Sequence, residues 1–296
     1  MVLAGRLPPA AMFPAGRPEL RTRYLDLASG LRVRAVECGD TNAPLVLLVP
    51  GWGCSTYVFR ENLVPLSDAG YHVVSVDLKG HGLSDKPVAA AEYHLEPMRL
   101  HLTQILESLG KPAIVCGLSM GAALSAHVAY ASPEFVRAVV MASPIGFSGV
   151  RGLTAARVVT ASPVTPLLPR IADRKVIELV LNLVNGKLRS ITPQDVDEFW
   201  APTQFPEFTL AMRHLLHKFT WRAPFPKLPV PALLISGTRD RFVSRESLES
   251  CCMTLPGMRH IEIKNAGHVV YDEAAPIVNK ALLEFFEGLT NDRSQV

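Results

Sequence analysis

An α/β fold, with a mostly parallel central sheet, helices on both faces and one helical insertion, is what this sequence predicts. Three observations carry the prediction. Short apolar runs of strand type alternate with helix-type segments from Leu45 to Ala142. The alternation stops between about Gly146 and Phe225, where the pattern is helical and broken by prolines. It resumes from Ala232 to Glu287. Alternation of this kind puts parallel strands in one sheet and packs helices against both its faces.

The elements follow in order. Residues 1–20 are Pro/Gly/Ala-rich with little periodicity and read as an N-terminal arm. Arg23–Leu27 and Leu31–Cys38 alternate well enough for a hairpin around Ser29-Gly30. Leu45–Val49 is wholly apolar and stops at Pro50-Gly51, as a strand covered on both faces does. Phe59–Ala69 reads as a helix and His72–Asp77 as a strand. In His94–Gly110, residues Leu95, Met98, Leu102, Ile105, Leu106 and Leu109 recur at helical spacing, and Gly110 stops the helix. Ala113–Cys116 is a strand, Met120–Ala131 a helix of small residues, and Val136–Ala142 a strand. In the insertion, Lys175–Val184 and Leu210–Phe219 are amphipathic helices, and Thr192-Pro193 sets an N-cap before proline at the first helical position. Strand Ala232–Ser236, helix Ser244–Leu255, strand His260–Lys264 and helix Asp272–Glu287 complete the pattern. The core is expected over 21–145 and 226–290, and the insertion over 146–225.

Composition excludes several classes. With 296 residues, 48% hydrophobic and 19% charged, the chain has material for a sizeable core and too little charge for disorder. A net charge of +3 without a dense Lys/Arg block argues against nucleic acid as a partner. No apolar run reaches the roughly 18 residues of a membrane helix, so no stable membrane insertion is expected. Residues 1–18 lack a continuous apolar core of the secretion-signal type, so the expected location is cytoplasmic. Five cysteines, an odd number without a CxxC, read as reduced thiols and not as a disulfide framework or zinc ribbon.

Ligands of such sheets bind beyond the carboxyl ends of the strands, so chemistry is sought just after each strand. Gly117-Leu118-Ser119-Met120-Gly121 lies between a strand and a helix, the context that gives G-x-S-x-G its meaning as a nucleophile elbow. A tight turn there strains the serine and lifts its hydroxyl off the sheet, and its neighbours two positions away must lack a Cβ. A serine hydroxyl needs a base. His268 directly follows the strand His260–Lys264, whereas the other eight histidines fall mid-element or in turns and read as structural. The base needs an orienting carboxylate. Asp240, after the strand Ala232–Ser236, supplies it in the chain order Ser, Asp, His. The other place for an acid, after Ala142, reads Ser143-Pro144-Ile145-Gly146 and has no carboxylate. Pro50-Gly51-Trp52-Gly53 follows the third strand, and the backbone N–H groups of Trp52 and Met120 are the candidate oxyanion donors. No P-loop or dinucleotide fingerprint follows a strand.

These motifs together resemble the α/β-hydrolase superfamily, in its capped branch of esterases, C–C bond hydrolases and their relatives, over about residues 22 to 288. The segment Asp77-Leu78-Lys79-Gly80-His81-Gly82-Leu83-Ser84-Asp85 resembles the family's turn after the fourth strand, which implies a structural role for Asp77 and Asp85. The resemblance implies Ser119 as nucleophile, Asp240 as orienting acid, His268 as base and acid, Trp52 and Met120 as oxyanion donors, and no cofactor. Many relatives open the oxyanion loop with His-Gly where this chain has Pro50-Gly51, a difference that leaves the backbone donor untouched. Serine at the elbow separates the chain from the epoxide hydrolases and haloalkane dehalogenases of this fold, which use aspartate.

The resemblance makes the insertion a cap over the site. Its apolar residues, among them Leu153, Val158, Leu167, Leu168, Val180 and Phe219, chiefly form the cap's own core, and those facing the cleft imply an apolar small-molecule substrate. His214 and His217 lie three apart on a helix, with no third ligand nearby, so no metal site is expected. Arg213 and Lys218 read as a solvated cap face. The reading is a serine hydrolase acting on a carboxylic ester. The alternatives are C–C bond hydrolysis, thioesterase or acyltransferase chemistry, and a hydrolase-like binding protein without turnover.

Overall fold

A computed structural model describes residues 5–148, 150–160, 173–218 and 227–291 of the chain. Leu167, Leu168 and Phe219, read above as cap residues, lie outside the described residues.

Eight strands form one sheet in the order β1-β2-β4-β3-β5-β6-β7-β8. They are β1 (Arg21–Asp26), β2 (Arg32–Cys38), β3 (Leu45–Val49), β4 (His72–Val76), β5 (Ala113–Leu118), β6 (Val136–Ala142), β7 (Ala232–Gly237) and β8 (Arg259–Ile263). β1 pairs antiparallel with β2, and β2 with β4; every pairing from β4 across to β8 is parallel. From β3 the chain crosses to β4 on one side, then returns to β5 on the other. The loops after β3 and β5 therefore flank the switch point, where ligands of such sheets bind.

The strands alternate by face. Leu45, Leu47, Val49, Val115, Val139 and Met141 face one core with α2 (Leu95–Leu109), α3 (Met120–Ala131) and α8 (Arg245–Thr254). Val46, Leu48, Ile114, Cys116 and Val140 face the other with α1 (Leu63–Asp68), α9 (Val270–Glu273) and α10 (Ala275–Asn291). Burial on both faces explains the unbroken apolar runs of β3 and β5.

Two helices outside the connection from β6 to β7 differ from the pattern read in the sequence, each for the same reason. The span Phe59–Ala69 is a 3-10 turn at Thr56–Phe59 followed by α1. Pro65 sits in the first turn of α1, where its missing N–H costs no helical bond; a helix begun at Phe59 would have held it in the interior. The closing helix likewise splits into α9 and α10, which places Pro276 at the second position of α10.

Between β6 and β7 lie α4 (Leu153–Val159), α5 (Arg174–Val184), α6 (Pro193–Trp200) and α7 (Pro206–Lys218). Thr192 caps α6 in a reciprocal box: Asp195 N–H donates to its hydroxyl at 3.2 Å, and its own N–H donates to Asp195 Oδ2 at 2.7 Å. α7 begins at Pro206, earlier than the Leu210 of the sequence reading, because proline suits a helix start. The N-terminal arm does not trail: Met12, Phe13 and Leu20 are buried. Among the described residues no helix is long and apolar enough to cross a membrane.

Candidate active site

Ser119 stands between β5 and α3 with φ 54° and ψ −111°, outside the regions a side chain ordinarily adopts. Such a conformation costs on the order of 1–3 kcal/mol and persists only where its surroundings enforce it. Two glycines make the turn possible. A Cβ on Gly117 would lie 2.4 Å from the Gly121 carbonyl oxygen, and one on Gly121 would lie 2.3 Å from that of Val49. The Ser119 N–H donates to the Ala142 carbonyl at 2.8 Å, which ties the elbow to the end of β6.

Asp240 follows β7 and His268 follows β8. His268 Nδ1 and Asp240 Oδ2 are 2.8 Å apart. Asp240 Oδ1 accepts the N–H groups of Phe242 and Val243 at 2.8 and 2.9 Å, so the carboxylate is fixed by its own turn. Burial pushes the Asp240 carboxyl up, but the adjacent imidazole and the two N–H donors outweigh it and hold the group below the usual carboxylate range. The Phe242 ring lies 5.5 Å from that of His268. Ser119 and His268 share no hydrogen bond among the described residues.

The loop after β3 reaches the serine. A Cβ on Gly51 would sit 3.2 Å from Ser119 Cβ and 3.2 Å from the Leu118 carbonyl oxygen. The backbone N–H groups of Trp52 and Met120 meet no acceptor among the described residues. The half-exposed Trp52 indole donates to the Met212 carbonyl at 3.0 Å, linking this loop to α7.

Residues set aside in the sequence have other work. Asp77 is fully buried and accepts the Thr56 and Leu83 N–H groups at 2.8 and 2.9 Å and Arg34 Nη1 at 3.2 Å. His214 stacks on Tyr93, while His217 Nε2 meets Thr160 Oγ1 at 3.0 Å. Arg213 donates to the Thr160 carbonyl at 2.9 Å. Among the described residues no group of three His, Cys, Asp or Glu side chains could hold a metal. A cavity of about 640 Å³ lies beside the starts of β3 and β6, lined by Lys111, Glu134 and Pro229 among others, and holds none of the site residues.

The sequence reading missed what surrounds His268. The turn Asn185-Gly186 packs directly on the His268 loop, with the His268 N–H donating to the Val184 carbonyl at 2.7 Å. It also missed a buried ionic cluster in which Arg60 Nη2 meets Asp272 at 2.6 Å and Asp195 at 3.0 Å. Asn185-Gly186 is a turn-type pair, but nothing local tells where such a turn docks.

A mostly parallel sheet carrying a strained serine at its switch point, with a histidine–carboxylate pair beyond two later strands, defines a class of α/β protein with its site at the strands' carboxyl ends. The chain belongs to the alpha/beta hydrolase fold family, which it matches over residues 44–275. It is 25% identical over 274 residues to AB hydrolase superfamily protein YfhM of Bacillus subtilis strain 168, covering 88% of this chain and 96% of that one. It is 28% identical to the magnesium-chelatase 30 kDa subunit of Rhodobacter capsulatus, covering 86% and 90%. It is 25% identical to epoxide hydrolase A of Mycobacterium tuberculosis strain ATCC 25618 / H37Rv, covering 90% and 98%. Among solved structures, carboxylesterase CesB (YbfK) of Bacillus subtilis superposes with TM-score 0.76 at 20% identity, covering 95% of each chain. The 2-hydroxy-6-oxo-6-phenylhexa-2,4-dienoate hydrolase BphD of Rhodococcus sp. strain RHA1 superposes with TM-score 0.75 at 17% identity, covering 90% and 99%.

Proposed function

We propose that the chain is a serine hydrolase that cleaves a carboxylic ester with an apolar group through an acyl-enzyme on Ser119. The observation that carries this is the His268–Asp240 pair at 2.8 Å, built beyond β7 and β8 in the same molecule that strains Ser119 at the end of β5. Serine at the elbow favours attack on a carbonyl carbon, so the chemistry in the name of epoxide hydrolase A is not carried over to this chain.

Ser119 Oγ attacks the carbonyl while His268 Nε2 takes its proton. The Asp240 carboxylate holds Nδ1 and balances the imidazolium that forms. The N–H groups of Trp52 and Met120 receive the oxyanion, each donor contributing on the order of 10²-fold in rate. His268 then protonates the leaving alcohol, and the cleft admits water, which His268 activates to release the acid. Residues 146–225 act as the cap and 21–145 with 226–290 as the core. Trp52, in the loop after β3, contacts α7 of that cap.

The test is hydrolysis of nitrophenyl esters of increasing acyl length by the wild type and Ser119→Ala. Turnover by the wild type and a loss of at least 10⁴-fold in the variant are expected, in keeping with removal of a triad nucleophile. Equal turnover by the two proteins overturns the assignment.

A further inference from the structure

We infer that Glu273 is a positioning residue for His268 and that, through it, the insertion sets where the base stands; this rests on the reading of His268 as the base. Glu273 ends α9 and is buried. Its Oε2 accepts the Gly267 N–H at 2.6 Å and the Gly186 N–H at 2.9 Å, and its Oε1 accepts the Leu188 N–H at 3.0 Å. Gly267 immediately precedes His268, whereas Gly186 and Leu188 belong to the turn that leaves α5. One carboxylate thus joins the base's loop to the insertion.

Direct backbone contacts close the same joint. The His268 N–H donates to the Val184 carbonyl at 2.7 Å, and the Lys187 N–H to the Asn265 carbonyl at 2.9 Å. The fit leaves no space for side chains. A Cβ on Gly186 would lie 2.2 Å from the Asn265 carbonyl oxygen, and one on Gly267 would lie 2.4 Å from the Gly186 nitrogen. On the far side, a Cβ on Gly237 would lie 2.3 Å from the Gly267 carbonyl oxygen. The His268 loop is therefore gripped between the insertion's turn and the end of β7, which leads to Asp240.

The joint bears on chemistry because a base displaced by about 1 Å can lose on the order of 10²-fold in rate. Glutamine at position 273 would keep one acceptor oxygen and turn an NH₂ group toward a backbone N–H. Either the Oε2 pair or the Leu188 contact would be lost. A carboxylate that only supported the fold would lower the melting temperature and leave the reactivity of Ser119 as it was.

The experiment follows the rate of Ser119 phosphonylation by a fluorophosphonate against pH, with melting temperature, in wild type, Glu273→Gln and Gly186→Ala. This readout needs the triad and no known substrate. The expected result is a rate about 10- to 100-fold lower in both variants. In Glu273→Gln the loss should hold across the pH profile, because the base is displaced and not removed. Folded Glu273→Gln with the wild-type rate overturns the inference while Ser119 labelling still stands. If Glu273→Gln does not fold, an unchanged rate in Gly186→Ala overturns it. A wild type that is not phosphonylated at Ser119 removes the hydrolase reading, and this inference with it.

Discussion

Asp240 shows how a single side chain is given its task by its own turn. Its Oδ1 is occupied by the Phe242 and Val243 N–H groups, which leaves Oδ2 directed to His268. An amide at this position would still accept from one side but would lack the charge that balances an imidazolium. Asp240→Asn should therefore keep the fold and lower kcat on the order of 10³- to 10⁴-fold, measured with the ester on which the wild type turns over best. Stability should respond to acid in a defined sense. The native Asp240 carboxyl lies below its unfolded value, so its contribution is complete above the ordinary carboxylate range and is lost as pH falls through the native value. Asp240→Asn should flatten that part of the acid-unfolding curve, read by circular dichroism.

Elements show where local sequence suffices and where it does not. β3 and β5 were legible because each is an apolar run bounded by glycine or proline, and Ser119, Asp240 and His268 stood out as candidates because each follows a strand-type run. Helix starts were read too early or too late where Pro65, Pro206 and Pro276 set the first turn. The joint between insertion and core was not legible, because its partners are distant and their residue types are ordinary. Arg60 pairs with Asp195 and Asp272 across 135 and 212 positions. Arg189 meets the same two carboxylates, at 2.6 and 3.2 Å, and the Tyr57 hydroxyl donates to Asp195 at 2.8 Å. Against burial, Arg189, Thr192 and Tyr57 hold Asp195 down to about 2, while burial keeps Asp272 above its ordinary value despite both arginines. Taking away Arg60 would leave two buried carboxylates facing one guanidinium, a loss of about 3–5 kcal/mol for a pair broken on one side. Arg60→Met, which retains the buried stem, should lower the urea midpoint accordingly without changing the m-value.

The whole molecule is closed by its N-terminal arm, which meets core and insertion at Phe13. Arg34 of β2 donates to the Phe13 carbonyl, and the Phe13 N–H donates to Glu198 Oε1 of α6 at 2.7 Å. Nearby, Arg6 Nε reaches Thr203 Oγ1 at 2.9 Å and its guanidinium lies 4.4 Å from the Trp200 ring centre, while Gln204 donates to the Leu7 carbonyl at 2.9 Å. Buried Glu198 is the cost of this closure. Its Oε2 is buried without a hydrogen-bond partner, and burial, opposed only in part by the Phe13 N–H and by Arg34 and Arg60, pushes its carboxyl up to about 7. A carboxyl raised in the folded state holds its proton longer there than in the unfolded chain. Its contribution to stability is therefore greatest below the unfolded value and falls as pH rises toward about 7, by a few kcal/mol at most. Asp240 and Asp195 act in the opposite sense and only at lower pH, so the two windows separate. Glu198→Gln keeps an acceptor for the Phe13 N–H and removes the titration. The excess of its denaturation free energy over that of the wild type should grow between about pH 5 and 7 and be positive at pH 8, because the buried histidines, His81 and His127 among them, contribute the same pH dependence to both proteins. Urea titrations at four or five pH values check both. A difference between the two proteins that stays constant across that range would show that Glu198 is ionised at no cost, and that the arm's closure is indifferent to its charge.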